Sequence, residues 1–457
     1  MALDIVIMAA GKGTRMKSGL PKVLHKLAGR SLLQHVLVTA ATVGADRIIT
    51  ITGHGAEQVE AAVQAPNLQF VRQMPQLGTG HAVLQAVPLL HDDGTTLVLS
   101  GDTPLTQATT ARALIEACGG RRLALLTLEL PDPSGYGRIL RDGDAVRAIV
   151  EHKDATPEQR RLREVYTGVM AAPTALLKRW LAQLKNDNAQ REYYLTDIVA
   201  MAVADGVPVV AAHPASEAEV LGINSPQQLA DLERRHQRAT AERLMEAGVR
   251  LADPARLDVR GELVCGTDVE IDVNCIFEGR VSLGDGVRIS AHCVIKNARI
   301  AANAVIHPFT HIDGEALGVK VGAGSLIGPF ARLRPGADLG EEVHIGNFVE
   351  VKNATLAKGA KANHLAYLGD ASVGERVNYG AGSITANYDG ANKHRTVIGA
   401  DVHIGSNSVL VAPVTIGEGA TVGGGSTITR DVGAGQLAVA RGRQMSVDGW
   451  KRPEKKK

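Results

Sequence analysis

Residues 321–351 read VGAGSLIGPFARLRPGADLGEEVHIGNFVEV, with an aliphatic side chain at every sixth position. Val321, Ile327, Leu333, Leu339, Ile345 and Val351 carry this beat without a break. It resumes at Ile398, Ile404, Leu410, Ile416, Val422 and Ile428, and a weaker run passes through Ile271, Phe277, Leu283, Ile289 and Ile295. Such a period is the mark of a parallel β-helix. Three short strands close one triangular coil, and each aliphatic residue points inward onto its equivalents above and below. The glycines that often follow, such as Gly322, Gly328, Gly340 and Gly346, let the chain turn the corners. Cys275 and Cys293 lie one coil of roughly 18 residues apart, which stacks them as packing neighbours rather than ligands.

The stack accounts for the composition. Of 457 residues, 50 are glycine and only 3% are aromatic, because a narrow core of Ile, Val and Leu has little room for rings. A formal net charge of +2 provides no global basic field for nucleic acid, so any anion site must be local. The basic stretch Trp450–Lys457 reads as a solvated terminus. Four cysteines without a CxxC pair read as small buried hydrophobes in a reducing compartment. Ile5–Ala10 is too short to span a membrane and reads as a buried strand; no membrane partner and a cytoplasmic location are expected.

Upstream of the repeats the grammar differs. Short apolar runs at Ile5–Met8, Arg47–Thr52, Thr96–Leu99 and Leu123–Leu128 alternate with helical patterns such as Leu32–Val43 and Thr109–Cys118. Alternating strands and helices predict an α/β, Rossmann-like domain with a mostly parallel sheet, whose ligands bind beyond the carboxyl ends of the strands. Ser225 as N-cap and Pro226 as first residue open a charged helix that reads as a solvated strut. The expected division is 1–225 for the α/β domain, 226–250 for the helical linker and 251–457 for the β-helix with its basic tail.

The first strand runs into Ala9-Ala10-Gly11-Lys12-Gly13-Thr14-Arg15-Met16, followed by Pro21-Lys22. This is neither a Walker A loop nor a dinucleotide fingerprint. Glycines there let backbone N–H groups approach an anion, and Arg15 and Lys22 add charge. Taken alone, the loop divides evenly between phosphate binding and a plain strand-to-helix turn. Further along come Gln73-Met74-Pro75-Gln76-Leu77-Gly78-Thr79-Gly80, Gly101-Asp102-Thr103-Pro104-Leu105, Gly135-Tyr136-Gly137-Arg138, Glu151-His152-Lys153-Asp154 and Gly222-Ile223-Asn224.

In that order these motifs resemble the sugar-nucleotide pyrophosphorylases. The resemblance implies that Gly11, Gly13, Arg15 and Lys22 meet the phosphates, that Gln73, Gly78 and Thr79 hold uracil, and that Asp102 and Asn224 bind Mg²⁺. Gly137, Glu151 and Tyr166 would hold the sugar, although the family usually carries Asn where this chain has Tyr166. The expected reaction is uridylyl transfer from UTP to a sugar 1-phosphate, catalysed mainly by positioning and charge neutralisation.

The repeat domain adds a second set. Leu356, Ala362 and Leu368 keep the inward phase, so His364 should lie on the surface. The break Asn387–Thr396 must project as a loop, a common place for function. With Arg334, Lys352, Tyr367, Asn378 and Tyr388, these residues resemble the acetyltransferase half of the bifunctional uridyltransferase/acetyltransferase family, whose β-helix is left-handed.

By that resemblance His364 is the base that deprotonates the amine of glucosamine 1-phosphate. Arg334 and Lys352 would clamp the sugar phosphate, while Tyr367, Asn378 and Asn387 would orient the sugar. Tyr388 would support the tetrahedral intermediate, and Ala381, Ser406, Gly424 and Arg441 would lie along acetyl-CoA. Glu350 is the acidic residue available to orient His364. The family also implies a homotrimer and synthesis of UDP-N-acetylglucosamine. Two rivals remain: a monofunctional pyrophosphorylase with a scaffolding β-helix, and a hexapeptide interaction module on a degenerate nucleotide domain.

Overall fold

The computed structural model describes residues 2–453 and 455. Of the basic stretch expected to be a solvated terminus, residues 454, 456 and 457 lie outside the described ones. The fold forms two units that divide between His236 and Gln237.

In the first unit the strands of the main sheet are β1 (Leu3–Met8), β2 (Arg47–Thr52), β3 (Leu68–Arg72), β4 (Thr95–Ser100) and β5 (Leu123–Glu129). They continue with β6 (Gly137–Asp142), β7 (Ala145–Val150), β8 (Glu164–Pro173) and β9 (Val209–Ala212). The sheet order is β9-β5-β8-β4-β1-β2-β3, with the β6–β7 hairpin attached through β8. Every pair along the main path is parallel except those of β8, which runs antiparallel to β4 and β5.

Helices α1 (Leu32–Val43) and α3 (Ala108–Cys118) pack on one face, and α2 (Thr79–Ala86), α4 (Thr174–Leu181) and α5 (Ile198–Ala204) on the other. Covered on both faces, β1 and β4 each carry an unbroken buried aliphatic run, Ile5-Val6-Ile7 and Leu97-Val98-Leu99, as a buried parallel sheet requires. The loops after β1, β3 and β4 leave this sheet at its carboxyl edge and carry the glycine-rich, Gln73 and Asp102 segments.

Helix α6 (Pro226–Glu246) is not the solvated strut its polarity suggested. Leu232 is buried against Met16, Leu27, Leu32 and Ile223 of the first unit. In the second unit Ala241 joins the β-helix core, and buried Gln237 exchanges two hydrogen bonds with the Val259 backbone (2.8 and 2.9 Å). A single apolar stripe is enough to dock a helix even when its mean polarity is high.

The second unit is a parallel β-helix. Leu326 pairs with His344, His344 with Lys361, Lys361 with Asn378 and Asn378 with His403, all in parallel. The ordinary step between coils is 17 or 18 residues, and it lengthens to 25 where the Asn387–Thr396 segment intervenes. Every residue of the six-residue beat is buried, and all belong to one continuous core. Cys275 and Cys293 occupy successive coils in that core, where burial pushes their thiols up to about 11 and about 12. One corner carries a ladder of rings at positive φ, His292, Phe309, Phe330 and Phe348, stacked with centroids 4.9, 5.0 and 5.4 Å apart. The three phenylalanines of the ladder and Leu365 beyond them are exposed.

Because the core residues touch only their coil neighbours, truncating one leaves a cavity that nothing can fill. Ile327→Ala should lower stability by about 2–5 kcal/mol, whereas Lys320→Ala on the outside should change it by less than about 0.5 kcal/mol; denaturant unfolding of the two variants measures the contrast.

Candidate functional sites

The glycine-rich loop leaves β1 and is drawn tight by Gly13. Gly13 takes φ 59°, and a Cβ there would come 2.6 Å from the Lys22 Cβ, so only glycine lets the two segments meet. Lys22 can then reach across the sheet edge. Its Nζ donates to Asp102 Oδ2 and, at 3.2 Å, to Asn224 Oδ1. Ser100 Oγ, at the end of β4, donates to the other Asp102 oxygen at 2.6 Å, and the Ile223 amide donates to the Asp102 carbonyl (3.0 Å). Residues separated by 202 positions are thus gathered around one positive charge. A cavity of about 210 Å³ opens here, lined by Arg15, Asp102, Tyr136, Thr167 and Asn224 among others.

Two further clusters lie on this unit. Gln73, which follows β3, is buried, and its Nε2 donates to the Gly78 carbonyl (2.9 Å) and to His81 Nδ1 (3.1 Å). Gly78 packs so closely on Tyr193 that a Cβ would meet the Tyr193 carbonyl at 2.6 Å. The Thr79 hydroxyl accepts the Leu195 amide (3.0 Å), which ties the base of α2 to the same segment.

In the other cluster, Tyr166 on β8 pairs with Gly137 on β6, and a Cβ on Gly137 would face both Glu151 carboxylate oxygens at 3.7 Å. Burial raises the Glu151 carboxyl, and the neighbouring charges of Asp197 and Asp154 push it further. Thr196 Oγ1 donates to it at 3.0 Å and offsets part of that shift. The Tyr166 phenol is buried, raised well above its ordinary value by burial and by the charge of Glu151, and its hydroxyl has no hydrogen-bond partner among the described residues.

On the β-helix, His364 is exposed, as its phase requires. Its partner differs from the one expected. Glu350 is held by Arg334 (2.9 Å) and Arg332 (3.4 Å), while His364 Nδ1 faces Asn347 Oδ1 at 2.9 Å, one coil away. Since an amide oxygen only accepts, this contact selects the tautomer of the neutral ring with the proton on Nδ1 and the lone pair on Nε2. Asn347 was findable by stepping one coil back from His364; the expectation of an acidic partner hid it.

The other residues are divided between two sheets of the coil: Asn378 lies on the same sheet as His364, and Lys352 and Tyr367 lie on another. Lys352 is lowered chiefly by the nearby ammonium of Lys393, a loop residue that motif reading passed over, then by burial and by Arg334. Three cations clustered this way make a local anion site. Buried Asp370, also unforeseen, accepts from Asn353 Nδ2 (2.5 Å) and from Asn387 Nδ2, and so anchors the start of the projecting loop. The loop is closed by Asp389, which accepts from the Ala391 and Asn392 amides and pairs with His394. Tyr388 is exposed and donates to the Gly390 carbonyl (2.7 Å). The Tyr367 ring lies over Gly369, where a Cβ would come 2.2 Å from its hydroxyl. Asn378 is exposed on the strand beside Lys361.

Ala381, Ser406 and Gly424 form one column, linked by the Asn407 amide to the Ala381 carbonyl (2.7 Å) and the Gly425 amide to the Ser406 carbonyl (2.8 Å). Arg441 Nη1 donates to the Gly424 carbonyl at 2.8 Å and so closes the end of that column.

Comparison with known proteins agrees with both halves. A model of the MobA-like NTP transferase domain matches residues 5–251, and one of bacterial transferase hexapeptides (six repeats) matches residues 318–353 and 395–430. The chain is 78% identical to a protein from Methylibium petroleiphilum named Bifunctional protein GlmU, with 100% of both chains covered. Proteins of the same name from Polaromonas naphthalenivorans (99% of this chain, 98% of the relative) and Cupriavidus pinatubonensis (99% of each) are 72% and 59% identical.

The orphaned phenol makes a stability prediction. A buried hydroxyl without a partner costs about 1–3 kcal/mol of desolvation. Tyr166→Phe should therefore leave the melting temperature unchanged or raise it, as measured by scanning calorimetry. A fall of several degrees would mean that the hydroxyl has a partner in the free protein.

Proposed function

The chain belongs to the bifunctional GlmU family, and from that premise we propose how its two sites divide one synthesis. The enzyme acetylates glucosamine 1-phosphate with acetyl-CoA and then transfers a uridylyl group from UTP to the N-acetylglucosamine 1-phosphate formed, releasing pyrophosphate. The observation that carries the two-site reading is the pair of separate charge clusters, Lys22–Asp102–Asn224 on the sheet edge and Arg334–Lys352–Lys393 on the β-helix.

We assign acetyl transfer to the β-helix face. Arg334, Lys352 and Lys393 receive the sugar phosphate, while Tyr367, Asn378 and Asn387 orient the ring. His364 takes a proton from the sugar amine through Nε2 as the nitrogen attacks the thioester carbonyl. The carbon–sulfur bond then breaks, and the proton passes to the departing thiolate. Asn347 holds the imidazole in the required tautomer, and Tyr388 supports the tetrahedral intermediate. Ala381, Ser406, Gly424 and Arg441 line the coenzyme arm.

We assign uridylyl transfer to the sheet edge. Gln73, Gly78 and Thr79 receive the uracil, and Gly137, Glu151 and Tyr166 the sugar. Gly11 and Gly13 present backbone N–H groups to the phosphates. A phosphate oxygen of the sugar attacks the α-phosphorus of UTP, the bond to the β-phosphate breaks, and pyrophosphate leaves. Arg15 and Lys22 neutralise the charge that develops.

The family implies a divalent metal, and the oxygens here fit one: a carboxylate and an amide oxygen converge on a single cation, the Lys22 ammonium. One carboxylate with neutral oxygens suits Mg²⁺, which keeps several waters. Asp102 and Asn224 would hold it, and when bound it supplies divalent charge to the phosphates.

Residues 1–225 and 251–457 are proposed as the catalytic domains, with 226–250 as the linker. Among the described residues no helix is long and apolar enough to cross a membrane. UTP and acetyl-CoA as substrates argue for a cytoplasmic enzyme. The exposed aromatic ladder supports assembly of the β-helices into a homotrimer, because an apolar seam of that length is costly to leave in water.

The deciding experiment supplies glucosamine 1-phosphate and acetyl-CoA without UTP and follows free thiol. Release dependent on the sugar phosphate is expected; its absence, in a protein that still makes UDP-sugar, would reduce the β-helix to a scaffold. His364→Ala should slow thiol release by about 10²–10⁴-fold and spare pyrophosphate release. Asp102→Ala, or removal of metal with EDTA, should lower pyrophosphate release at least about a hundredfold and spare acetylation. Asn347→Ala should cost about tenfold in acetyl transfer, as expected for one lost neutral hydrogen bond to the base.

A further inference from the structure

The amide of Gln73 has one end tied twice. The Gly78 carbonyl can only accept, so the end of Gln73 that meets it at 2.9 Å is the NH₂ group. The second hydrogen of that group faces His81 Nδ1 at 3.1 Å. Both N–H bonds are therefore spent inside the protein. The remaining atom, Oε1, takes no hydrogen bond among the described residues and is not one of the sealed, partnerless polar atoms of the interior.

His81 is itself held in place. It sits in the first turn of α2, and the Gln85 side chain donates to its backbone carbonyl at 3.1 Å. Its ring lies 6.2 Å from that of Tyr193, whose backbone also packs on Gly78. The Gln85 NH₂ also lies 3.3 Å from His81 Nε2; a neutral ring accepts at one nitrogen only, and the shorter contact, 3.1 Å to the buried Gln73 amide, selects Nδ1.

We propose that His81 is the positioning residue for base selection: by accepting the second Gln73 N–H it locks the amide with its carbonyl toward the nucleotide base. That carbonyl accepts from a pyrimidine bearing a ring N–H between two carbonyls, which is uracil. Cytosine offers a bare ring nitrogen at the same position, so acceptor would face acceptor. The inference rests on the uridylyl-transfer reading of this unit. Without His81, a buried N–H of Gln73 is left without a partner, a costly state. The Gly78 carbonyl alone then holds the amide, so turning it over to present its NH₂ to cytosine sacrifices one hydrogen bond instead of two.

The test measures kcat/KM for UTP and for CTP with N-acetylglucosamine 1-phosphate, on the full-length protein. His81→Ala should lower the UTP-over-CTP preference about tenfold, the effect of one misdirected hydrogen bond. The KM for the sugar phosphate and the rate of acetyl transfer should not move. His81→Asn, whose Oδ1 stands in for Nδ1, should restore the preference. Should His81→Ala fail to fold, His81→Phe keeps the ring without an acceptor and carries the same test. An unchanged UTP-to-CTP ratio in a folded variant, or an equal fall for both nucleotides, would overturn the proposal. A wild-type protein that transfers nothing from UTP would instead remove the reading beneath it.

Discussion

The second unit depends on one repeated contact, an aliphatic side chain stacked on its equivalent one coil away, with the parallel backbone ladder alongside. The step between coils is 17 or 18 residues, so every outward residue has a fixed neighbour that is distant in sequence. This is why Asn347 meets His364 and Asp370 meets both Asn353 and Asn387. A rigid prism of this kind costs little conformational freedom to maintain once its coils are stacked, so it can present a cluster of like charges. Lys352, Lys393 and Arg334 repel one another, and the stack of buried Ile, Val and Leu holds them together regardless.

The first unit solves the same problem by different means. Its sheet brings loop after loop to one edge, and Gly13 allows the glycine-rich loop to close on Lys22. The Lys22 ammonium then satisfies Asp102 and Asn224 together. Charge is paired here, whereas on the β-helix Glu350 pairs Arg334 and the ammonium groups of Lys352 and Lys393 face each other. The cluster around Gly137 is different again: half-buried Glu151 is raised by burial and by neighbouring carboxylates, and the buried Tyr166 hydroxyl has no hydrogen-bond partner among the described residues. Polar groups kept in these states store interaction energy that a ligand can release.

The fold was largely legible. A six-residue aliphatic period has no other economical packing, and apolar strands alternating with amphipathic helices imply a covered sheet. Leu32–Val43 and Arg47–Thr52 occupy the bounds that their patterns suggested. The linker helix reads as solvated because mean polarity conceals its few apolar residues, Leu229 and Leu232 in its first half and Ala241 and Leu244 in its second. At the sites, residues embedded in motifs were visible, while those that act through them were not. Asn347, Asp370, Lys393 and His81 carry no signature of their own, since each matters only through the side chain it touches.

The sequence by itself therefore determined the architecture and which residues stand as candidates for the two sites, because periodicity and residue chemistry are local properties of the chain. Pairing was decided by tertiary structure alone. Glu350 went to Arg334 and Arg332 rather than to His364, and Asn347 took its place. Which of several equally plausible neighbours wins depends on distances of a few tenths of an ångström between segments many residues apart, and those distances exist only once the coils are stacked and the sheet is closed.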